Sequence, residues 1–252
     1  MWQNKLKDTL TFCLGIVLIG VVVQAAGALK GDALVFPGVD EIMRAFLRLI
    51  TAEKTYALIW TTMKHLIAAM AVSAVIGVAL GMAMGMLPFL RKLLQPMMIL
   101  LRSLPMVILI VIIMVVADYA HVPVLASSIV LVPMIAEAAC EGCLRIDKEL
   151  IDVYRMNAAF NGRILFQVYL PLMAGYLRQA WVNAAGMGVK LAVSTEYLVQ
   201  TKNSLGKAVH TSGYFNEYQD IYAYALVMIL LVLVVSEGPV MIGKLVARRK
   251  RT

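Results

Sequence analysis

The thirty residues Gly142–Pro171, GCLRIDKELIDVYRMNAAFNGRILFQVYLP, form a charged island inside a chain that otherwise reads as lipid-soluble. Asp147, Lys148, Glu149, Asp152, Arg155, Asn157, Asn161, Arg163 and Gln167 could not lie in hydrocarbon without large cost. The apolar residues between them keep helical order: Leu150, Val153, Tyr154 and Ala158 share one face, and Ile164, Leu165, Val168 and Tyr169 another. Asp147 fits an N-cap and Glu149 a first turn, both at the positive end of a helix. Asn161-Gly162 supplies a turn, and Leu170-Pro171 closes the second helix. The expectation is two short amphipathic helices in water, held against a membrane face. An ordered loop of that length between two spans docks a partner.

Composition sets the surroundings of the island. Of 252 residues, 62% are hydrophobic and 15% charged, which excludes an ordinary soluble domain and marks an integral membrane protein. The net charge of +8 is assigned to loops and tail facing the cytoplasm and anionic lipid rather than to nucleic acid. Cys13, Cys140 and Cys143 make no disulfide framework. Cys140-x-x-Cys143 has no second pair or nearby histidine to complete a metal site, so no metal is expected.

Working outward, six helical spans are expected within a single all-α domain, residues 1–252. Leu10–Leu29 is apolar for about the twenty residues a span needs, and is read as a retained helix rather than a cleaved signal. Residues 30–55 form an external segment. Its Val39–Ile50 stretch is an interfacial amphipathic helix with Val39, Ile42, Met43, Phe46, Leu49 and Ile50 on one face. Tyr56–Leu87 is the second span. Its Gly77-x-x-x-Gly81-x-x-x-Gly85 ridge admits close packing, either within one protomer or between two. Pro88–Gln95 is expected as a cytoplasmic turn and Pro96–Ala117 as a span kinked at Pro105. Pro123–Glu141, Met173–Leu198 and Ile221–Val246 complete the set, with an external loop at Gln200–Asp220. Lysine and arginine are richer on the face that holds the island and both termini, which places these in the cytoplasm.

Catalytic machinery is not found. His65, His121 and His210 are scattered, and neither a Walker loop, an H-E-x-x-H helix nor a G-x-S-x-G elbow occurs. A membrane chain with a docking loop and no engine of its own suggests a subunit driven by another. The competing class is a self-sufficient secondary transporter or channel, for which Lys190, Glu137 and Glu237 would be the intramembrane charges to examine.

The island also carries a resemblance. Glu149-Leu150-Ile151-Asp152, Arg155, Ala158-Ala159 and Leu170-Pro171 resemble the EAA loop of ATP-binding-cassette importer permeases. Phe36-Pro37-Gly38, the Gly77–Gly85 ridge, Leu101-Arg102-Ser103-Leu104-Pro105, and Glu196 followed by Ser204-Leu205-Gly206 are similar to other positions of that family, closest to its nitrate, sulfonate and taurine branch. The resemblance implies a cytoplasmic coupling helix within residues 142–170, between the fourth and fifth spans. Glu149, Asp152, Val153, Tyr154, Arg155, Ala158 and Pro171 would be its ATPase-coupling residues. It also implies a second permease copy, a cytoplasmic ATPase dimer holding ATP and magnesium, an external substrate-binding protein, and residence in a bacterial inner membrane. Asp152-Val153-Tyr154 stands where the family carries Glu-Ala-Ala, and Ala158 where it carries glycine, so a differently shaped ATPase groove is expected. The chain itself would bind no cofactor and be no enzyme. Its solute, small and anionic or organic, would pass near Lys190, Glu196, Glu137 and Glu237. Lys190, in the middle of the fifth span, either pairs with Glu137 or Glu237 or lines the pathway.

Overall fold

The computed structural model describes residues 37–147, 149–150 and 164–249, with side chains described as far as Ser236. All regular structure among the described residues is helical. The expected first span, Leu10–Leu29, lies outside them.

Helix α1, Val39–Thr51, starts at Gly38, whose amide donates to Glu41, and carries Asp40 and Glu41 in its first turn. Arg44 beside Asp40 holds that carboxyl below its ordinary range. Ala45 and Leu49 turn inward onto Ala223, Tyr224 and Val227 of the last helix, and Arg48 pairs with Asp220 there. The amphipathic helix is as expected, but its buried stripe is centred on Ala45 and Leu49, leaving Val39 and Met43 exposed.

Helix α2, Glu53–Met86, and helix α5, Val122–Leu144, are the central pair. They run parallel along the glycine ridge. A Cβ at Gly77 would lie 2.9 Å from Ile135 Cβ; one at Gly81 would meet the Ala136 carbonyl and Ala139; one at Gly85 would meet Cys143. The ridge is therefore a seam inside the protomer, which decides between the two readings of the sequence. Ser73 Oγ donates to the Ser128 carbonyl and Ser128 Oγ to the Ala69 carbonyl across the same seam, both at 3.4 Å.

Between these two lie α3, Pro88–Ser103, and α4, Met106–Val116. The expected turn at Pro88–Gln95 is instead the start of α3. Pro88 occupies the first helical position, where a missing amide hydrogen costs nothing, and Leu87 alone makes the turn. The kink at Pro105 is far sharper than a proline bend within one helix, because α3 and α4 meet at 101°. Leu104 and Pro105 are extended rather than helical, so the hydrogen-bond ladder stops and restarts.

Leu165–Tyr169 is a π turn running into one helical turn, Leu170–Leu172. Pro171 does not close the helix, contrary to expectation. It has no amide hydrogen for a bond to the Gln167 carbonyl, and the helix widens there and continues. Helix α6, Ala174–Val199, follows at once. The expected external loop contains a further helix, α7, Leu205–Tyr214, and α8 covers Tyr218–Arg249.

Three described helices, α2, α5 and the Tyr218–Ser236 part of α8, are long and apolar enough to cross a membrane; the α3–α4 pair makes a fourth if it is one broken span. At 26 residues α6 is also long enough, but it carries Arg178, Lys190 and Glu196.

Candidate functional site

Polar chemistry collects on two faces of α6. The first is buried. Glu196 is 0% exposed, near the C-terminal end of the helix. Its Oε2 accepts from Thr62 Oγ1 at 2.8 Å and from the Gly206 amide at 3.3 Å, and Oε1 lies 2.7 Å from His65 Nδ1. Thr62 Oγ1 accepts in turn from the Leu205 amide at 3.1 Å, while Ser204 Oγ caps the Lys207 amide at 3.2 Å. The first three amides of α7 are thus all satisfied, and a carboxyl group sits at the positive end of that helix.

Local sequence explains why the chain can close in this way. Gln200 ends α6 in the left-handed region at φ 54°, and the Thr201 amide reaches back to the Glu196 carbonyl at 3.2 Å. Asn203 is left-handed again at φ 54°, which returns the chain toward α6. Gly206 then lies so close that a Cβ would sit 2.5 Å from Glu196 Cβ, the Tyr197 amide nitrogen and the Val193 carbonyl oxygen. Only glycine fits. The cluster clamps α2, α6 and α7 together. Glu196, expected on the solute route, is one of its buried members; Thr62 was not singled out in the sequence, and His65 was set aside there as a scattered histidine. Their signal was two polar residues three apart on one face of an otherwise apolar helix.

The second face of α6 is open. Tyr176, Gln179, Asn183, Lys190, Ser194 and Tyr197 are all exposed. At 100° per residue they fall within an arc of about 60°. Met187 borders this lane, and Gln179 Nε2 donates to Asn183 Oδ1 at 3.2 Å. Lys190 has no ion-pair partner among the described residues. Glu137, one of its two expected partners, is paired with Arg102 at the break between α3 and α4. The side chain of Glu237, the other, lies outside the described residues. A shallow cavity of about 200 Å³ beside the Arg102–Glu137 pair is lined by Arg91, Gln95, Glu141, Cys140 and two methionines. No group of three or more His, Cys, Asp or Glu able to hold a metal occurs among the described residues.

The docking island is described only at its edges. Glu149 and Leu150 are exposed just after α5, and Pro171 is exposed before α6. Val168, Tyr169 and Met173 anchor the returning chain against Cys143. Lys148, Asp152, Val153, Tyr154, Arg155 and Ala158 lie outside the described residues.

The sequence model of the binding-protein-dependent transport system inner membrane component matches residues 73–252. No curated protein matches the chain. Among solved structures, a chain of the MetNI methionine ABC transporter in an inward-facing conformation superposes with a TM-score of 0.61 at 19% identity, covering 76% of this chain and 96% of its own. A bacterial ABC transporter involved in importing the acidic polysaccharide alginate gives 0.66 at 13% identity over 98% of both chains. The alginate transporter in complex with an alginate pentasaccharide-bound periplasmic protein gives 0.59 at 13% identity, covering 93% of this chain and 95% of its own. At these identities the likeness is one of fold.

Proposed function

The chain belongs to the family of inner membrane components of binding-protein-dependent transport systems, and from that membership we propose that it forms the solute pathway of an ATP-driven importer as one of two permease copies. The observation that carries the pathway is the open lane of α6. A helix of membrane-spanning length exposes amides, hydroxyls and an ammonium group along one side, and hydrocarbon does not solvate such a face. Two copies with these lanes turned toward each other enclose a polar route.

ATP is hydrolysed elsewhere, in cytoplasmic subunits that dock on the Gly142–Pro171 island. Both termini share that side. Nucleotide binds best when the ATPases are closed, so closure draws the two islands together and tips the route from inward- to outward-facing. An external binding protein then delivers a small anionic or organic solute at the outer face, where the Glu196 cluster holds α7 in place. Membership in the nitrate, sulfonate and taurine branch is part of this proposal, supported by the residues quoted for it.

Purification of the chain from its own membrane tests the proposal. A Walker-containing ATPase is expected to copurify in equal amount, and reversing charge at Glu149 and Asp152 together is expected to reduce its recovery without affecting membrane insertion. Unchanged recovery and transport in the double variant would remove the island from the docking role. Solute flux through the chain alone in liposomes, with no ATPase present, would identify a secondary transporter instead.

A further inference from the structure

We propose that the open lane of α6 is a binding track for small organic anions, in which Lys190 holds a carboxylate- or sulfonate-type acid group and the neutral residues of the lane grip an uncharged polar body. This rests on the importer reading above and narrows its anionic or organic solute to an organic acid, with the residues that select it. Three observations carry it. The first is length. From Tyr176 to Tyr197 the lane rises about 31 Å at 1.5 Å per residue, which matches the roughly 30 Å thickness of a hydrocarbon core. The polar face is therefore long enough to cross a whole bilayer rather than mark one interface.

The second observation is charge. Lys190 is the one charged side chain in the lane, near its middle. Among the described residues, the two carboxyl groups considered for this route, Glu196 and Glu137, are both engaged elsewhere. Glu196 points about 120° away around the helix, buried against Thr62, His65 and Gly206, and Glu137 is bonded to Arg102. A fixed positive charge between low-dielectric walls repels cations and concentrates anions along the route. Two copies double the effect.

The third is the set of neighbours. Asn183 lies about two turns below Lys190 and Ser194 about one turn above, both exposed and both able to donate and accept hydrogen bonds. Met187 and Tyr197 add polarisable surface on the same side, exposed at 44% and 39%. An acid group at Lys190 would leave the rest of an organic molecule among amide, hydroxyl, thioether and phenol groups. That environment suits a neutral, hydrogen-bonding body and offers no carboxylate to a cationic one.

The test uses the whole permease–ATPase complex in lipid nanodiscs and two thiol reagents of matched size. These are the anionic sulfonatoethyl methanethiosulfonate and the cationic trimethylammonioethyl methanethiosulfonate, each normalised to its rate with a free thiol. Ser194→Cys and Asn183→Cys are labelled, with the reaction of the parent chain subtracted; Ile229→Cys, exposed on the outside of α8, is the lipid-facing control. Both lane positions are expected to react in at least one nucleotide state, the anionic reagent the faster. Adding Lys190→Met should lower the anion-to-cation ratio about tenfold, and Lys190→Arg should restore it. Reaction at both positions with a ratio indifferent to Lys190 overturns the anion assignment while leaving the pathway intact. No reaction in any nucleotide state shows that the lane is not lined by water, and the pathway reading falls with the proposal. Self-cross-linking of Ser194→Cys between copies, without labelling, makes the lane a subunit seam and overturns it too.

Discussion

Glu196 and Lys190 sit six residues apart on one helix, about 120° apart around its axis, and they have opposite fates. Glu196 is fully buried and has three polar partners drawn from two other helices. Lys190 is exposed and, among the described residues, has no ion-pair partner. A charged group within a membrane-spanning helix must meet one of two conditions: its hydrogen bonds are completed inside the protein, or water reaches it. Here α6 uses both solutions on two different faces. The buried face fixes the helix to its neighbours, and that rigidity is what lets the open face keep a defined shape.

Substitutions on the two faces should therefore differ in kind. Glu196→Leu is predicted to have the largest effect, since it strands the Gly206 amide and removes the acceptor facing Thr62 and His65. At about 1–3 kcal/mol per stranded donor, the loss should reach roughly 3–5 kcal/mol and appear as a marked fall in melting temperature of the detergent-solubilised protein. Gly206→Ala comes next. Two of the three atoms its methyl group would meet belong to the backbone, so relief needs movement of α7, costing about 1–3 kcal/mol. Thr62→Val keeps the shape but deletes a donor to Glu196 and the acceptor for Leu205; about 1–2 kcal/mol is expected. Lys190→Met should change stability by no more than about 0.5 kcal/mol. A melting temperature that falls as far for Lys190→Met as for Thr62→Val would erase the distinction between the faces.

The positions of α2, α5 and the apolar part of α8 were legible in the sequence because apolar runs of membrane length admit few other readings. The amphipathic α1 was legible for a similar reason of periodicity. The break between α3 and α4 was visible as Pro105 but not as a right-angled corner, since proline marks where a ladder stops and not the direction in which the chain restarts. Glu196 and Ser204-Leu205-Gly206 stood out as polar and small residues in the expected places. Their union with Thr62 and His65 did not, because it depends on contacts more than 130 residues apart in the chain. The lane was hidden for a different reason. Asn183, Ser194 and Gln179 are unremarkable one at a time, and become a feature only when exposure shows that they share a side.

The corner between α3 and α4 bears on how the protein is made. Neither arm, at 16 and 11 residues, supplies the roughly twenty apolar residues that a helix needs to partition into a bilayer by itself. The first arm also carries Arg91, Lys92 and Arg102. Leu109, Ile110 and Ile113 of the second arm are buried against Val122 and Ala126, which emerge from the ribosome only after it. Lateral release of this segment from the insertion machinery must therefore wait for α5 to arrive, so that the two enter the membrane as one hairpin.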